Sequence, residues 1–193
     1  MSGTQYSKSL QGDNHFSLSN AFHMADINVF APKLFHWEGL FTNDPTDHGG
    51  ATNMGVTRST WRQVGYDKDG DGDIDIDDLH QLTREDVMDV LRIVYWNRWR
   101  ADEINNQALA DILVDWLWCS GKWGITIPQH LLGVPEDGIV GPQTIQRLNT
   151  VNPNKFLMQI YNARVVFILN IIKKDPTQKR FERGWFNRLN DFL

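Results

Sequence analysis

The chain has 193 residues and a formal net charge of −5, with 24 acidic and 19 basic side chains. This length fits one domain that can bury a full core. Hydrophobic residues make up 41% and aromatic residues 11%, including eight Trp and ten Phe, which is typical of a globular protein rich in flat apolar surface. Because no run of Lys or Arg stands out, we expect no nucleic-acid partner.

The cysteine content and the hydropathy of the chain indicate the cellular compartment in which the protein folds. Cys119 is the single cysteine, so no intramolecular disulfide forms, and its apolar segment "LADILVDWLWCSG" predicts a buried thiol. The first 25 residues contain no signal-peptide-like apolar segment, and the apolar run "VVFILNII" at 165–172 is too short to cross a bilayer. We therefore expect no stable membrane insertion. We also expect a monomer, and residues 1–23 are expected to form a flexible tail or an appended segment.

The first predicted element is a helix. Apolar residues recur every three or four positions between residues 27 and 41, and Asp26 is suited to cap the helix start. Gly39 is expected to end this helix and to leave Glu38 in its last turn. The Asn, Asp, Pro and Gly residues of 43–57 predict turns, with a small hairpin around "ATNMGVT" as the only expected sheet.

Beyond residue 59 the pattern is helical almost throughout, without an internal repeat or a low-complexity linker. The sequence therefore predicts a single helical domain. The local signals are a capping box at Thr83 and Asp86, an apolar helix over 109–117 ended by Gly121, a long helix opened by Asn152 and Pro153, and a short final helix at 181–189.

Three acidic residues lie close together in the stretch "FHWEGLFTNDPTDHGGATNMGVT" at 35–57. Hydrolysis of a glycosidic bond needs one protonated carboxylic acid and one ionised carboxylate in different environments. Glu38 follows an apolar helix, where burial is expected to raise its pKa, whereas Asp44 and Asp47 lie in a polar, glycine-rich loop. The alternative interpretation is that Glu38 only ends a helix and the aspartates only form turn hydrogen bonds.

Two further residues of this stretch fit the same chemistry. The Thr52 hydroxyl could hold the attacking water, and Gly50 would let the backbone approach a sugar closely. The pattern "WEGLFTNDPTDHGGATNMGVT" resembles the signature of glycoside hydrolase family 108, bacterial and phage N-acetylmuramidases with a lysozyme-like fold. Later blocks, "VYWNRWRADEI", "WCSG" and "FERGWFNRLNDF", extend the resemblance over 24–193, although Leu40 replaces the family's second glycine.

The resemblance implies a mostly α, lysozyme-like domain with a small β-hairpin near the active site and Glu38 as general acid. The spacing from Glu38 to Asp47 and then Thr52 is also similar to the catalytic arrangement of phage-type lysozymes, which favours Asp47 over Asp44. The implied reaction is hydrolysis of the β-1,4 bond between N-acetylmuramic acid and N-acetylglucosamine. A lytic transglycosylase and a non-catalytic wall-binding or secretion-associated protein remain alternatives. The expected substrate-binding residues are Asp44, Gly50, Thr57, Trp96 and Trp99.

The chain divides by resemblance into a catalytic region at 24–125 and a helical region at 126–193. The segment "HLLGVPEDGIVGPQTIQRLN" at 130–149 resembles the Asp-Gly-x-x-Gly-Pro-x-Thr pattern of type 3 peptidoglycan-binding modules. The alternative is a plain turn at Asp137 and Gly138 followed by a helix that begins with Pro142.

The segment "DKDGDGDIDIDD" at 67–78 has the spacing of an EF-hand loop, with Gly at position 6 and Ile at position 8. We expect a structural Ca²⁺ site there, with a solvated acidic loop as the alternative. The six histidines lack zinc-site spacing, so no cofactor is expected in catalysis. The expected calcium ligands are Asp67, Asp69, Asp71, Asp73 (through its carbonyl), Asp75 and Asp78.

These expectations together describe a protein that acts on peptidoglycan. Without a signal peptide or a disulfide, it is expected to be made in the bacterial cytoplasm and to reach the wall through a holin or another secretion route. A phage or prophage endolysin fits this description.

Overall fold

The computed structural model describes residues 24–39, 41 and 51–193, and the structural statements below refer to these residues. The predicted tail at 1–23 and the substitution at Leu40 lie outside them. So do the predicted site residues Asp44, Asp47 and Gly50.

Helices surround one short antiparallel hairpin, which confirms the predicted mostly helical, lysozyme-like fold class. The strands are β1 (Thr52–Asn53) and β2 (Val56–Thr57). The α-helices are α1 (Ile27–Trp37), α2 (Arg58–Val64), α3 (Ile76–His80), α4 (Arg84–Val90), α5 (Gln107–Ser120), α6 (Trp123–Leu132), α7 (Pro142–Leu148), α8 (Pro153–Lys174) and α9 (Glu182–Asn190). A π-helical segment covers Leu91–Trp96, and 3₁₀ turns cover Ala101–Glu103 and Pro176–Phe181.

Helix α1 begins as the sequence predicts and ends one residue earlier. The Asp26 side chain accepts a hydrogen bond from the Asn28 backbone N–H at 2.8 Å, which satisfies a free donor of the first turn. Trp37 is the last helical residue, and the N–H of Glu38 still donates to the Leu34 carbonyl at 3.2 Å. Glu38 is therefore the C-terminal cap of α1 rather than part of its last turn.

The hairpin directs its turn toward the end of α1. Thr52 pairs with Thr57, and Asn53 pairs with Val56. The turn residues Met54 and Gly55 both have positive φ, 46° and 78°, as two-residue turns between twisted strands require. The Asn53 side chain donates to the Leu79 carbonyl at 2.8 Å, so the hairpin is fixed to α3.

Two groups of buried apolar residues form the interior. The larger group includes Phe30 of α1, Trp116 of α5 and Ile160 of α8, so one core joins the predicted catalytic and C-terminal regions. The smaller group lies beneath the hairpin and α2–α4. Tyr95 and Trp118 pack against both groups and mark the border between them.

Helix α8 is the one helix among the described residues that meets the length and composition of a membrane span. It has 22 residues and a mean hydropathy of 1.3 over its most apolar part, of which 22% is buried. The core helix of a soluble protein can pass the same test, and α8 buries Phe156, Ile160, Arg164 and Ile168. The absence of membrane insertion stays a prediction.

Cys119 is in an exposed position near the end of α5, although its neighbours Trp116 and Leu117 are buried. Its Sγ lies 3.9 Å from Oδ2 of the buried Asp115, and burial raises the pKa of the thiol to about 12. The apolar segment predicts the buried helix correctly, and the thiol points toward Asp115.

Candidate active site

Glu38 lies where the end of α1 meets α9. Its side chain is only 10% exposed, and its Oε1 accepts a hydrogen bond from Nη1 of Arg188 at 2.8 Å. The two residues are 150 positions apart in the sequence. The sequence expectation rested on apolar neighbours of Glu38, whereas the structure adds a guanidinium that forms an ion pair with its carboxylate.

Arg188 is held on its other side by Asp115 of α5. Nε and Nη2 of Arg188 lie 2.9 Å and 2.7 Å from the same Asp115 oxygen. The second Asp115 oxygen accepts from Nη2 of Arg164 at 2.8 Å, and Asp115 is fully buried. Burial alone would lower the pKa of Arg188, but the charges of Asp115 and Glu38 raise it. Two cations and two anions thus alternate along one hydrogen-bonded chain.

The other oxygen of Glu38 lies against the hairpin turn. A Cβ placed on Gly55 would overlap Oε2 of Glu38 and would lie 2.9 Å from Cζ2 of Trp118. Only glycine leaves room for the carboxyl group at this point. Its positive φ of 78° makes a side chain unfavourable there for a second reason.

Aromatic side chains complete the surroundings of Glu38. The rings of Tyr95 and Trp118 lie 4.5 Å apart between centroids. Burial raises the pKa of Tyr95, the hydrogen bond with Thr60 opposes the shift, and the nearby charge of Glu38 adds to it. The Tyr95 hydroxyl therefore lies close enough to Glu38 to be affected by its charge.

The two predicted threonines have different roles in the structure. Thr57 caps α2, because its Oγ1 accepts from the N–H of Thr60 at 3.1 Å. Thr52 lies half-buried in β1, next to the hairpin turn. A water-holding role for Thr52 and a substrate-binding role for Thr57 stay predictions, although capping already uses the Thr57 oxygen.

The second carboxylate of the predicted pair, Asp47, lies outside the described residues, as does Asp44. Asp115 cannot replace them, because it is fully buried and held between two guanidinium groups. The assignment of Asp47 therefore stays a prediction.

The expectation for Trp96 and Trp99 is wrong. Both side chains have no exposed surface and belong to the large core, where no sugar can reach them. Trp96 stacks on Phe30 and donates its Nε1 hydrogen bond to Asp102 at 2.7 Å. Trp118, in the quoted "WCSG" block, is the partly exposed tryptophan beside Glu38 that the sequence reasoning did not select.

The acidic loop connects α2 to α3, as in a helix–loop–helix cation site. Its carboxylates form two groups whose oxygens lie within 4.8 Å of one another. The groups are Asp67, Asp69 and Asp71, then Asp73, Asp75 and Asp78.

Hydrogen bonds within this loop show that its last aspartate holds the loop together. Asp78 is 1% exposed, and its two oxygens accept the backbone N–H groups of Lys68 and Asp75, so it ties both ends of the loop together. Desolvation and the charges of Asp71 and Asp75 raise the pKa of Asp73. Carboxylate and carbonyl oxygens, together with this mutual repulsion, fit a hard divalent cation such as Ca²⁺.

The C-terminal motif forms a well-defined turn. The buried side chain of Gln129 accepts from the N–H of Gly138 at 2.9 Å and donates to Asp137 at 2.8 Å. Gly138 has a φ of 74°, and α7 begins at Pro142 as predicted. These contacts give Asp137 and Gly138 a structural role, which does not decide whether the surface nearby binds a glycan.

Comparisons with known proteins agree with this architecture. Residues 31–121 match the family model described as glycosyl hydrolase 108, and residues 123–190 match the model described as a predicted peptidoglycan domain. The structure of Brucella abortus SagA is similar to this chain with a TM-score of 0.70 and 26% identity, covering 86% of this chain and 92% of that one. Among curated proteins, none matches the chain.

The two family matches support a peptidoglycan-related hydrolase or binding function, with peptidoglycan as a partner. They follow each other in the order that the sequence patterns predict. The chain thus contains a segment that matches the glycosyl hydrolase 108 family, followed by a segment that matches the predicted peptidoglycan domain.

Proposed function

We propose that the protein is an N-acetylmuramidase that hydrolyses the β-1,4 bond between N-acetylmuramic acid and N-acetylglucosamine. The observation that carries this proposal is the divided environment of Glu38. Oε1 binds Arg188, while Oε2 lies at the hairpin turn beside Gly55 and the partly exposed Trp118. One carboxyl oxygen is thereby fixed, and the other is placed beside the turn, where a substrate could approach it.

The proposed reaction uses Glu38 as the general acid. Its Oε2 donates a proton to the glycosidic oxygen of the leaving sugar, and the resulting carboxylate is stabilised by the Arg188 guanidinium.

The second carboxylate is proposed to be Asp47, with the Thr52 hydroxyl holding the water that Asp47 activates. An inverting reaction would need roughly 6.5–9.5 Å between the Glu38 and Asp47 carboxyl groups, whereas a retaining reaction would need about 5–5.5 Å. The stereochemistry of the product at its new reducing end, followed by NMR, distinguishes the two routes.

Mass spectrometry of digested peptidoglycan tests the reaction. The proposal predicts N-acetylmuramic acid at the new reducing ends. Anhydromuramic ends would show that the reaction is lytic transglycosylation and not hydrolysis. Glu38→Gln should abolish cleavage and retain binding to sacculi. Glu85→Gln, on an exposed position of α4, is the matched control and should cleave as the unchanged protein does. If Glu38→Gln cleaves at the normal rate, Glu38 is not the acid.

The proposed context is wall degradation by a protein made in the bacterial cytoplasm and released by a holin or another secretion route. Loss of lysis on deletion of a neighbouring holin gene would support the endolysin role. Continued export without a holin would instead support a secretion role.

We also propose that the loop at 67–78 binds Ca²⁺ and stabilises the segment that carries α2 and α3. The carboxylates of Asp67, Asp69, Asp71, Asp75 and Asp78 and the carbonyl of Asp73 would hold the ion. The cation would neutralise the repulsion within the loop and would take no part in bond cleavage.

A further inference from the structure

We propose that Arg188 is a positioning residue for Glu38, with Asp115 and Arg164 holding Arg188 in turn. The peptidoglycan segment would then complete the catalytic site in addition to any role in wall binding. This inference rests on the proposed role of Glu38 as general acid.

The first support is the two-sided contact of the Arg188 guanidinium. Nη1 contacts Glu38, while Nε and Nη2 lie within 2.9 Å of Asp115. Because a guanidinium is planar and rigid, fixing the side that faces Asp115 also fixes the direction in which Nη1 points. Lysine carries one ammonium group and cannot hold both carboxylates in this geometry.

The second support is the burial of the group that holds Arg188. Asp115 has no exposed surface, and Arg164, which binds its other oxygen, is 5% exposed. Arg164 is itself confined by the rings of Trp116 and Phe192, at 5.7 Å and 5.9 Å from its guanidinium carbon. The anchor of Arg188 therefore has little freedom to move, as a positioning group requires.

The third support is the origin of the four charges. Both acids, Glu38 and Asp115, lie in the hydrolase segment at 31–121, and both bases, Arg164 and Arg188, lie in the peptidoglycan segment at 123–190. A buried charge without its partner is strongly unfavourable. Each segment thus supplies the charges that the other needs, and the catalytic geometry depends on both.

The test compares Arg188→Gln, Arg188→Lys and Arg183→Gln on soluble glycan strands of defined length. Arg183 is exposed on the same helix and serves as the matched control. Arg188→Gln should lower kcat by about tenfold to a hundredfold while KM changes by less than about twofold. Arg188→Lys should also show a lowered kcat with a nearly unchanged KM, because it keeps the positive charge and loses the planar guanidinium that contacts both carboxylates.

The outcomes separate this inference from the proposed function. If Glu38→Gln retains full activity, the proposed function fails, and the inference fails with it. If Glu38→Gln is inactive while Arg188→Gln keeps a normal kcat, only the positioning role is wrong. Should Arg188→Gln not fold by circular dichroism, Arg188→Lys carries the test, and a normal kcat in that variant would overturn the inference.

Discussion

Trp37 donates a hydrogen bond from its indole Nε1 to Oδ2 of Asp191 at 2.7 Å. Trp37 directly precedes Glu38, and Asp191 lies three residues after Arg188. It is thus a second link between the end of α1 and the C-terminal helix, next to the ion pair of the candidate site. Two adjacent contacts, the Trp37–Asp191 hydrogen bond and the Glu38–Arg188 ion pair, therefore fix the position of Glu38 relative to α9.

Trp37→Phe should lower the free energy of unfolding by about 0.5–1 kcal/mol, because it keeps an aromatic ring and removes the indole donor of an exposed hydrogen bond. Urea denaturation measures this change. Asp191→Asn is the control, since its amide oxygen can still accept the bond, and it should lose less stability. Equal midpoints for Trp37→Phe and the unchanged protein would show that the bond does not contribute.

Gly55→Ala should reduce activity by about tenfold or more, because the new methyl group overlaps Oε2 of Glu38 and misplaces the carboxyl group. The left-handed backbone adds a stability cost of about 1 kcal/mol. Gly133→Ala is a matched control, since Gly133 has a φ of 69° with nothing within 4 Å of the added carbon. It should lose similar stability and keep its activity, and similar activities for the two variants would contradict the close contact with Glu38.

Calcium should raise the melting temperature through the loop at 67–78. A ligand at a hundredfold excess over its Kd, bound only by the folded state, adds about 2.7 kcal/mol to the free energy of unfolding. For a chain of this size the expected shift is roughly 5–10 °C. Calorimetry with Ca²⁺ and with a chelator measures it, and Asp67→Asn should reduce the difference.

Identical melting curves with Ca²⁺ and with chelator would exclude the site. Loss of activity on chelation far below the melting temperature would instead connect the loop to the active site. Asp102→Asn, outside the loop, is the control and should keep the full calcium effect.

Asp86→Asn should destabilise the protein in a pH-dependent way. Burial opposes ionisation of Asp86, but hydrogen bonds from Lys68 and Thr83 lower its pKa below the ordinary value of 3.8. Since the folded-state pKa is lowered, the carboxylate stabilises the fold above pH 3.8, and this stabilisation is lost as pH falls through the folded-state pKa. We expect a loss of about 1–3 kcal/mol near neutral pH.

Urea unfolding at neutral and at acidic pH checks this prediction, and the difference from the unchanged protein should disappear in acid. Asp89→Asn, exposed on the same helix, should have little effect at either pH. A difference between Asp86→Asn and the unchanged protein that stays constant with pH would show that the ionised carboxylate is not responsible.

Helix boundaries were predictable because their causes are local. Asp26, Thr83 and Asn152 each cap a helix by accepting a backbone N–H within three residues, as the sequence indicates. The hairpin at "ATNMGVT" and the start of α7 at Pro142 also depend on neighbouring residues only. The EF-hand spacing of 67–78 likewise brings six of the seven carboxylates of this loop into two close groups.

Side-chain environments were harder to predict, because they depend on which face of an element meets the core. Trp96 and Trp99 were expected to bind substrate, yet both are buried in the large core.

The sequence by itself determined the family pattern, the helical class and the position of Glu38 at the end of α1, because residues within one turn or one motif decide these features. The tertiary structure alone decided what surrounds Glu38. The contact with Arg188 spans 150 residues, and it exists because α5, α8 and α9 pack together and bring Asp115 and Arg164 to the same point. No local pattern encodes such a contact, since its energy comes from pairing buried charges across the core.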